Sequence, residues 1–277
     1  MRFALPWRAA LGALVLAFSL AACDATQPAS GDGVAPVASD PVYEAMLDGV
    51  GGLDGLAALL DSASPEALEA TFAEYGVDYE QIDVSTADMA EAKLGDTITE
   101  CPQYFRSADR NKWITLVGAG GSESHYIDGT GRPLAAYKRL PPVTTAARST
   151  YCQTNVGNWG SPASSFDGGH LIGSQLGGWG KRANIVPQHY NFNRGNWKRV
   201  EDQLAKCDRL SNGVVAYYVV VGYPSGSGLT PSTFTANVSV SNSAWENAYF
   251  SNASGGGSNG TAEATSMQNW LSGRGCY

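Results

Sequence analysis

Asp167-Gly168-Gly169-His170-Leu171-Ile172, then Asn184-Ile185-Val186-Pro187-Gln188, then Asn193-Arg194-Gly195-Asn196-Trp197-Lys198-Arg199-Val200-Glu201, is the stretch on which the fold turns. Two glycines ahead of an imidazole predict a close backbone turn, with a strand carrying His170 onward. A loop containing Gly177-Gly178 follows, then a short strand that ends at Pro187. A helix is expected from Asn191 or Asn193. On it Asn193, Trp197 and Glu201 fall at i, i+4 and i+8 of one stripe, and Val200, Leu204 and Cys207 form the buried stripe beside it. Strand, loop, strand and helix therefore bring a candidate base, His170, towards a candidate oxygen ligand, Asn193.

Outside this segment the pattern is that of a mixed α+β domain. Lys112 to Val117 is strand-like, and His125-Tyr126-Ile127 before Asp128-Gly129 reads as the first arm and turn of a hairpin. Val214 to Tyr223 is a Val and Tyr run suited to a central strand, and Thr233 to Val240 alternates apolar and polar residues. Ser251 to Gly260 reads as a loop and Ala262 to Leu271 as a terminal helix carrying Met267 and Trp270.

The N-terminal third differs in character. Ala9 to Ala22 is an apolar run of fourteen residues behind Arg2 and Arg8, too short to cross a bilayer at about 1.5 Å per residue. Residues 1–22 read as a secretory signal, and Leu20-Ala21-Ala22-Cys23 resembles a bacterial lipobox in which Cys23 is acylated. The expectation is an exported protein, lipid-anchored to a bacterial membrane on its periplasmic or cell-surface side. Residues 23–42 read as a flexible tether rich in Ala, Ser, Gly, Pro and Asp. Residues 43–100 read as an acidic, partly helical segment and 101–277 as the catalytic domain. Short helices are expected at Tyr43–Leu47 and Leu56–Leu60, interrupted by Gly49, Gly51, Gly52 and Gly55, with another starting at Ser64-Pro65-Glu66.

Charge divides at the same place. Cys23 to Glu100 holds seventeen Asp or Glu and a single basic residue, Lys93, whereas Cys101 to Tyr277 holds nine acidic and fifteen basic residues. The total of -8 thus conceals a basic C-terminal part, which permits a polyanionic partner that the acidic part opposes. The acidic segment reads as a solvated spacer, or alternatively as a phosphate mimic folded onto the basic face.

With 43% hydrophobic and 16% charged side chains over 277 residues, the chain is not disordered as a whole. After Cys23, four cysteines remain, Cys101, Cys152, Cys207 and Cys276, with no C-x-x-C knuckle for zinc. Two disulfides in an exported chain are the natural reading. Three pairings are open, and Cys101 with Cys152 and Cys207 with Cys276 is preferred because the second would pin the C-terminus.

The motifs resemble those of the DNA/RNA non-specific endonucleases of the ββα-metal, or His-Me finger, class. Members carry Asp-x-Gly-His, then Asn-x-x-Pro-Gln, then Asn-x-Gly-x-Trp with a Glu four residues after the Trp. Asp167, Gly169, His170, Asn184, Pro187, Gln188, Asn193, Gly195, Trp197 and Glu201 match in order and spacing. Tyr126-Ile127-Asp128, Gly131-Arg132-Pro133 and Arg148 extend the likeness and point to an Asp-Gly-Gly-His subgroup. The resemblance implies a ββα core on an antiparallel sheet and a Mg²⁺-dependent endonuclease, with Mn²⁺ as a substitute, acting on DNA and RNA. His170 would be the general base, Asn193 the metal ligand, and Glu201 and Arg148 further catalytic residues. Asp167, Gly169, Gln188 and Asn184 would support them.

Two positions depart from the better-known subgroup. Gly168 stands where that subgroup has Arg, and Ala205 stands where a phosphate-contacting Arg is found. Phosphate contacts would then fall to Arg139, Arg194 or Lys198, with Lys138 and Arg148 as further candidates. Read alone, Asn193 is a helix cap, Glu201 a solvated helix residue and Trp197 core, while His125 and His189 carry no motif and read as surface or packing. The missing arginines suggest a competing class, a lipid-anchored nucleic-acid-binding or DNA-uptake protein with little turnover. A secreted toxin met by a cognate protein inhibitor is a third.

Overall fold

The computed structural model describes residues 37, 38, 40–83, 101–118, 121–140, 145–210 and 214–277. The expected signal, the acylated Cys23 and nearly all of the expected tether lie outside them. The described residues form one compact unit.

The unit is α+β, built on a mostly antiparallel sheet. Its strands are β1 (Val37–Ala38), β2 (Asp78–Asp83), β3 (Lys112–Gly118), β4 (Gly121–Ile127), β5 (Pro133–Leu140), β8 (Val215–Pro224), β9 (Thr233–Val240) and β10 (Glu246–Ser251). They lie in the order β10-β9-β8-β5-β4-β3-β2, with β1 paired to the end of β8. Only β2 runs parallel to its neighbour, β3. A separate two-stranded ribbon, β6 (Phe166–His170) with β7 (Ile185–His189), carries the motif.

Strand periodicity assigns the two faces of the large sheet, since paired residues in neighbouring strands point the same way. Ser124, Tyr137, Tyr218 and Asn237 are in register on one face, and Glu123, Lys138, Tyr217 and Val238 on the other. The first face is covered by α1 (Pro41–Gly49), α2 (Gly52–Ser62) and α3 (Pro65–Ala73). Each start follows from its sequence. Asp40 caps α1 through Val42 and Tyr43 N–H, Ser64 caps α3 through Ala67 N–H, and proline opens both helices. Gly51 and Gly52, at φ 91° and 72°, make the left-handed corner between α1 and α2, which a side chain would disfavour. Gly55 does not interrupt α2 as expected. It lies inside the helix, where a Cβ would collide with the Val50 carbonyl.

Residues 40–83 are therefore not a solvated spacer. Trp113 Nε1 lies 3.2 Å from Met46 Sδ, Tyr43 packs 5.1 Å from Tyr126, and the Tyr43 and Tyr218 hydroxyls touch. Strand β2 joins the sheet itself, so the expected boundary at residue 100 does not divide two cores. Nor does the described acidic segment lie on the motif's side as a phosphate mimic, because it occupies the opposite face. Asp40, Pro41 and Val42, expected at the end of the tether, begin α1.

On the second face sit the ribbon, α4 (Thr150–Gly157), α5 (Lys198–Ala205) and the C-terminal α6 (Gly260–Ser272). Phe192 and Trp197, just before α5, pack on Phe234 and Phe250 with ring centroids 5.1–5.9 Å apart. The disulfides pair as preferred: Cys101 with Cys152, and Cys207 with Cys276. The second joins the end of α5 to the C-terminus.

A chain beginning at Cys101 loses β2 and the helices over Trp113, Tyr126 and Tyr218. Each uncovered aromatic forfeits about 1.5–3 kcal/mol, against a net stability of roughly 5–15 kcal/mol for a typical domain. We expect that chain to melt far below the full protein or to aggregate, as followed by circular dichroism. Equal melting temperatures would contradict the shared core.

Candidate active site

The ribbon holds His170 at the end of β6. Gly168 and Gly169 are not a turn before it, as expected, but extended strand residues. A Cβ on Gly168 would lie 2.3 Å from the Gln153 carbonyl of α4, and one on Gly169 would lie 1.9 Å from Gln188 Oε1. Their lack of side chains lets α4 close on one side of the ribbon and Gln188 cross the other. Asn184 then fastens the loop that follows His170. Its Oδ1 accepts from Ile172 N–H at 2.9 Å, and its Nδ2 donates to the Ile172 and Trp179 carbonyls at 2.8 and 2.9 Å.

Asn193 does not share a regular helical stripe with Trp197. Residues Asn193–Trp197 form a wider π-type turn, with Gly195 at φ -107°, ψ -109°. The added residue rotates Trp197 into the aromatic core, while Asn193 and Glu201 both reach the cleft. Trp197 is core, and its Nε1–H donates to the His170 carbonyl at 3.2 Å. Val200, Leu204 and Cys207 are buried as expected.

His170, Asn193, Glu201, Arg148 and Lys198 line one cleft of about 330 Å³, together with Gln153, Gly173, Ser174, Gln175 and Arg194. The base and the oxygen ligand read from the motif are thus brought together. His170 is only 6% exposed, and its Nε2 has no protein hydrogen-bond partner. Burial pushes its pKa down to about 4, with the Arg148 charge adding to the fall and Glu123 opposing it. The imidazole is therefore neutral through the physiological range, as a proton acceptor must be.

Glu201 is 7% exposed, and its Oε1 is unpartnered. Burial raises its pKa to about 8, and the Gly173 backbone, Arg148 and Lys198 act against that rise. A Cβ on Gly173 would lie 2.6 Å from Glu201 Oε2, so a side chain there would displace the Glu201 carboxyl group. Arg148 reaches the cleft from the segment before α4 and donates to Ser174 Oγ at 2.6 Å.

Asp167 has a sharper role than bracing a turn. It accepts from Arg194 Nε and Nη2 at 2.8 and 2.6 Å and from Asn193 Nδ2 at 3.1 Å. Anchoring the amide nitrogen leaves Asn193 Oδ1 as the end available to a cation. The described residues hold no group of three or more His, Cys, Asp or Glu able to cage a metal. An amide oxygen sharing a cleft with a buried carboxyl group that a cation could help ionise suits a hard divalent cation that keeps much of its water.

Other candidates lie elsewhere. Arg139 is on the opposite face, donating to Asp61 Oδ2 at 2.6 Å, because it shares its strand parity with Tyr137. Lys138 is buried beside Glu123 at 3.8 Å. Gln188 is buried, with both amide atoms unpartnered and no place on the cleft wall. Arg194 and Lys198 do line the cleft, Lys198 while paired to Asp202 at 2.5 Å.

The sequence reading missed Glu123. It is buried on β4 beneath the cleft, accepting from Trp179 N–H at 3.1 and 3.2 Å and contacting His125 Nε2 at 2.6 Å. Burial acts to raise its pKa, but His125, Lys138 and the Trp179 N–H together hold it below the usual range. Glu123 and His125, two apart on one strand, share a face, and that spacing was the available signal.

A ribbon and a following helix packed over a mostly antiparallel sheet are consistent with the ββα-metal nuclease fold. Residues 111–242 match the family model described as DNA/RNA non-specific endonuclease, and the chain carries a domain of that family. The family generally uses a divalent metal.

The Arg148 charge makes a pH test available. Free His170 takes its proton near 6.5 and the folded group near 4, so the unfolded chain binds more protons between those values. Stability held by the neutral imidazole is complete above 6.5 and is lost as pH falls towards 4. The acid limb of kcat/KM should lie below pH 6.5 and move upward in Arg148→Ala, which removes a cation opposing protonation. A limb that stays put would separate Arg148 from His170.

Proposed function

We propose that the protein is a Mg²⁺-dependent, sugar-non-specific endonuclease of the Asp-Gly-Gly-His subgroup, exported and held to a bacterial membrane by lipid at Cys23. The observation that carries the catalytic reading is the single cleft shared by His170, Asn193, Glu201 and Arg148. A phosphodiester is an anion that resists nucleophiles, so hydrolysis needs a base, positive charge at the phosphate and a stabilised leaving oxygen. His170 accepts a proton from water as the water oxygen bonds to phosphorus. The bond from phosphorus to the 3′ oxygen breaks, that oxygen takes a proton from solvent, and the cut leaves a 5′-phosphate end.

Asn193 Oδ1 would hold the cation, and Glu201 would orient water around it. Bound there, Mg²⁺ supplies charge neutralisation at the phosphate and the leaving oxygen, undiminished by its neutral ligand. Arg148, lining the same cleft, adds a fixed positive charge. Backbone recognition of this kind gives little base preference and falls with salt.

The test is digestion of plasmid and of RNA by the purified mature chain. Cutting should stop with chelator and return with Mg²⁺ or Mn²⁺. His170→Ala should lose roughly 10²–10⁴-fold in rate. Asn193→Ala should demand more cation, and Asn193→Asp should recover part of the loss. Substrate retained without cutting by the parent chain would sink the enzymatic reading.

Anchoring is checked separately. Labelled fatty acid should enter the parent chain, and Cys23→Ala should release it from the membrane fraction with its specific activity unchanged. Equal membrane retention would remove the lipid anchor.

A further inference from the structure

A second groove of about 440 Å³ adjoins the catalytic cleft and shares Arg148, Gln153, Asn193 and Arg194 with it. The two form one channel. The groove's other wall includes Phe166 and Asp167, from the start of β6. Beside this wall stands an aromatic array that neither the core nor the catalytic assignment uses.

Phe166 and His189 face each other across the open end of the ribbon, edge to face at 5.8 Å. His189 in turn stacks on Tyr190, with centroids 5.1 Å apart and planes at 21°. The Arg194 guanidinium lies 5.9 Å from the Tyr190 ring centre. Tyr190 is 37% exposed, so a large aromatic is left partly in water beside Arg194, which lines both grooves. The Arg194 side chain is 70% exposed, yet its plane is fixed by two bonds to Asp167.

Resting on the nuclease reading above, we propose that Tyr190 and Arg194 form a stacking subsite for an unpaired nucleobase next to the scissile phosphate. Flat faces of this kind receive the faces of bases, and a duplex hides those faces. Arg194 supplies a planar cation, and Arg148, on the shared stretch of channel, lies within the same run of positive charge for the backbone. Ring and charge together match a single-stranded nucleic acid, whereas an apolar peptide would leave both arginines unmatched. The subsite gives the enzyme a preference for single strands, loops and frayed ends over closed duplex, with no preference in base identity.

The experiment uses the full mature chain carrying His170→Ala, so that the ligand survives, with Mg²⁺ present. The probes are a short single-stranded oligonucleotide containing a fluorescent purine analogue and a blunt duplex of the same length. The analogue should be quenched on binding. Tyr190→Ala and Tyr190→Leu should bind the single strand about tenfold more weakly and lose the quenching. Tyr190→Phe should keep both, and duplex affinity should be the same in all four chains. Tyr190→Leu retains side-chain bulk, so a loss shared with Tyr190→Ala reports the ring rather than a collapsed helix start. Single-strand binding by Tyr190→Ala equal to the parent's overturns the subsite, as does an equal loss for single strand and duplex. A parent that binds neither probe overturns the nuclease reading itself.

Discussion

The indole of Trp197 is the constraint on which the site depends. Its ring is locked among Phe192, Phe234 and Phe250, which fixes the start of α5 on the large sheet. Its N–H donates to the carbonyl of His170, which fixes the ribbon to the same point. One buried side chain thus sets the spacing between the strand that carries His170 and the turn that carries Asn193. An N–H placed in an aromatic core without a partner is costly, so the packing and the hydrogen bond enforce one another. The wider turn at Asn193–Trp197 makes this compatible with catalysis, since a regular helix would keep Asn193 and Trp197 on one stripe.

Around that anchor the ionisable groups are arranged so that burial does the tuning. His170 is kept neutral by loss of solvent and by a neighbouring cation, and Glu201 is kept from ionising by loss of solvent. Glu123, equally buried, is ionised because His125, Lys138 and the Trp179 N–H surround it. Glu123 pins the loop after β6 through the Trp179 N–H with His125 and Lys138 beside it, whereas Glu201 has the Gly173 N–H and the charges of Arg148 and Lys198, opposed by Asp202. The contrast is one of how closely the neighbours engage the carboxyl group, not of depth.

The candidate site residues His170, Asn193 and Glu201 were legible because they are tied to a short, local unit whose spacing survives in the sequence. Strands β8 and β9 were legible from their Val, Tyr and Phe runs, and the start of α3 from Ser64-Pro65. Strand β2 was not, since Asp78-Tyr79-Glu80-Gln81-Ile82-Asp83 is mostly polar and becomes a strand by pairing with β3. The glycine pair was misread because the reason for it lies in α4 and Gln188, which approach from outside the motif. Arg139 looked like a phosphate contact by charge alone. Its face is set by the pairing of β5 with β8, a long-range fact that composition does not contain.

The same sheet resolves the conflict between an acidic chain and a polyanionic substrate. Most of the described acidic residues of the N-terminal part sit on the face away from the cleft, and Asp61 there is engaged by Tyr137 and Arg139. Layers packed on a sheet stand about 10 Å from it, while mobile ions screen exposed charges over about 8 Å at physiological salt. The far-side carboxylates are therefore largely invisible to a phosphate entering between Arg148 and Arg194. What that phosphate meets is the local field, positive and partly desolvated. Net charge describes how the molecule behaves in bulk, and the side of the sheet on which each charge falls decides what the cleft attracts.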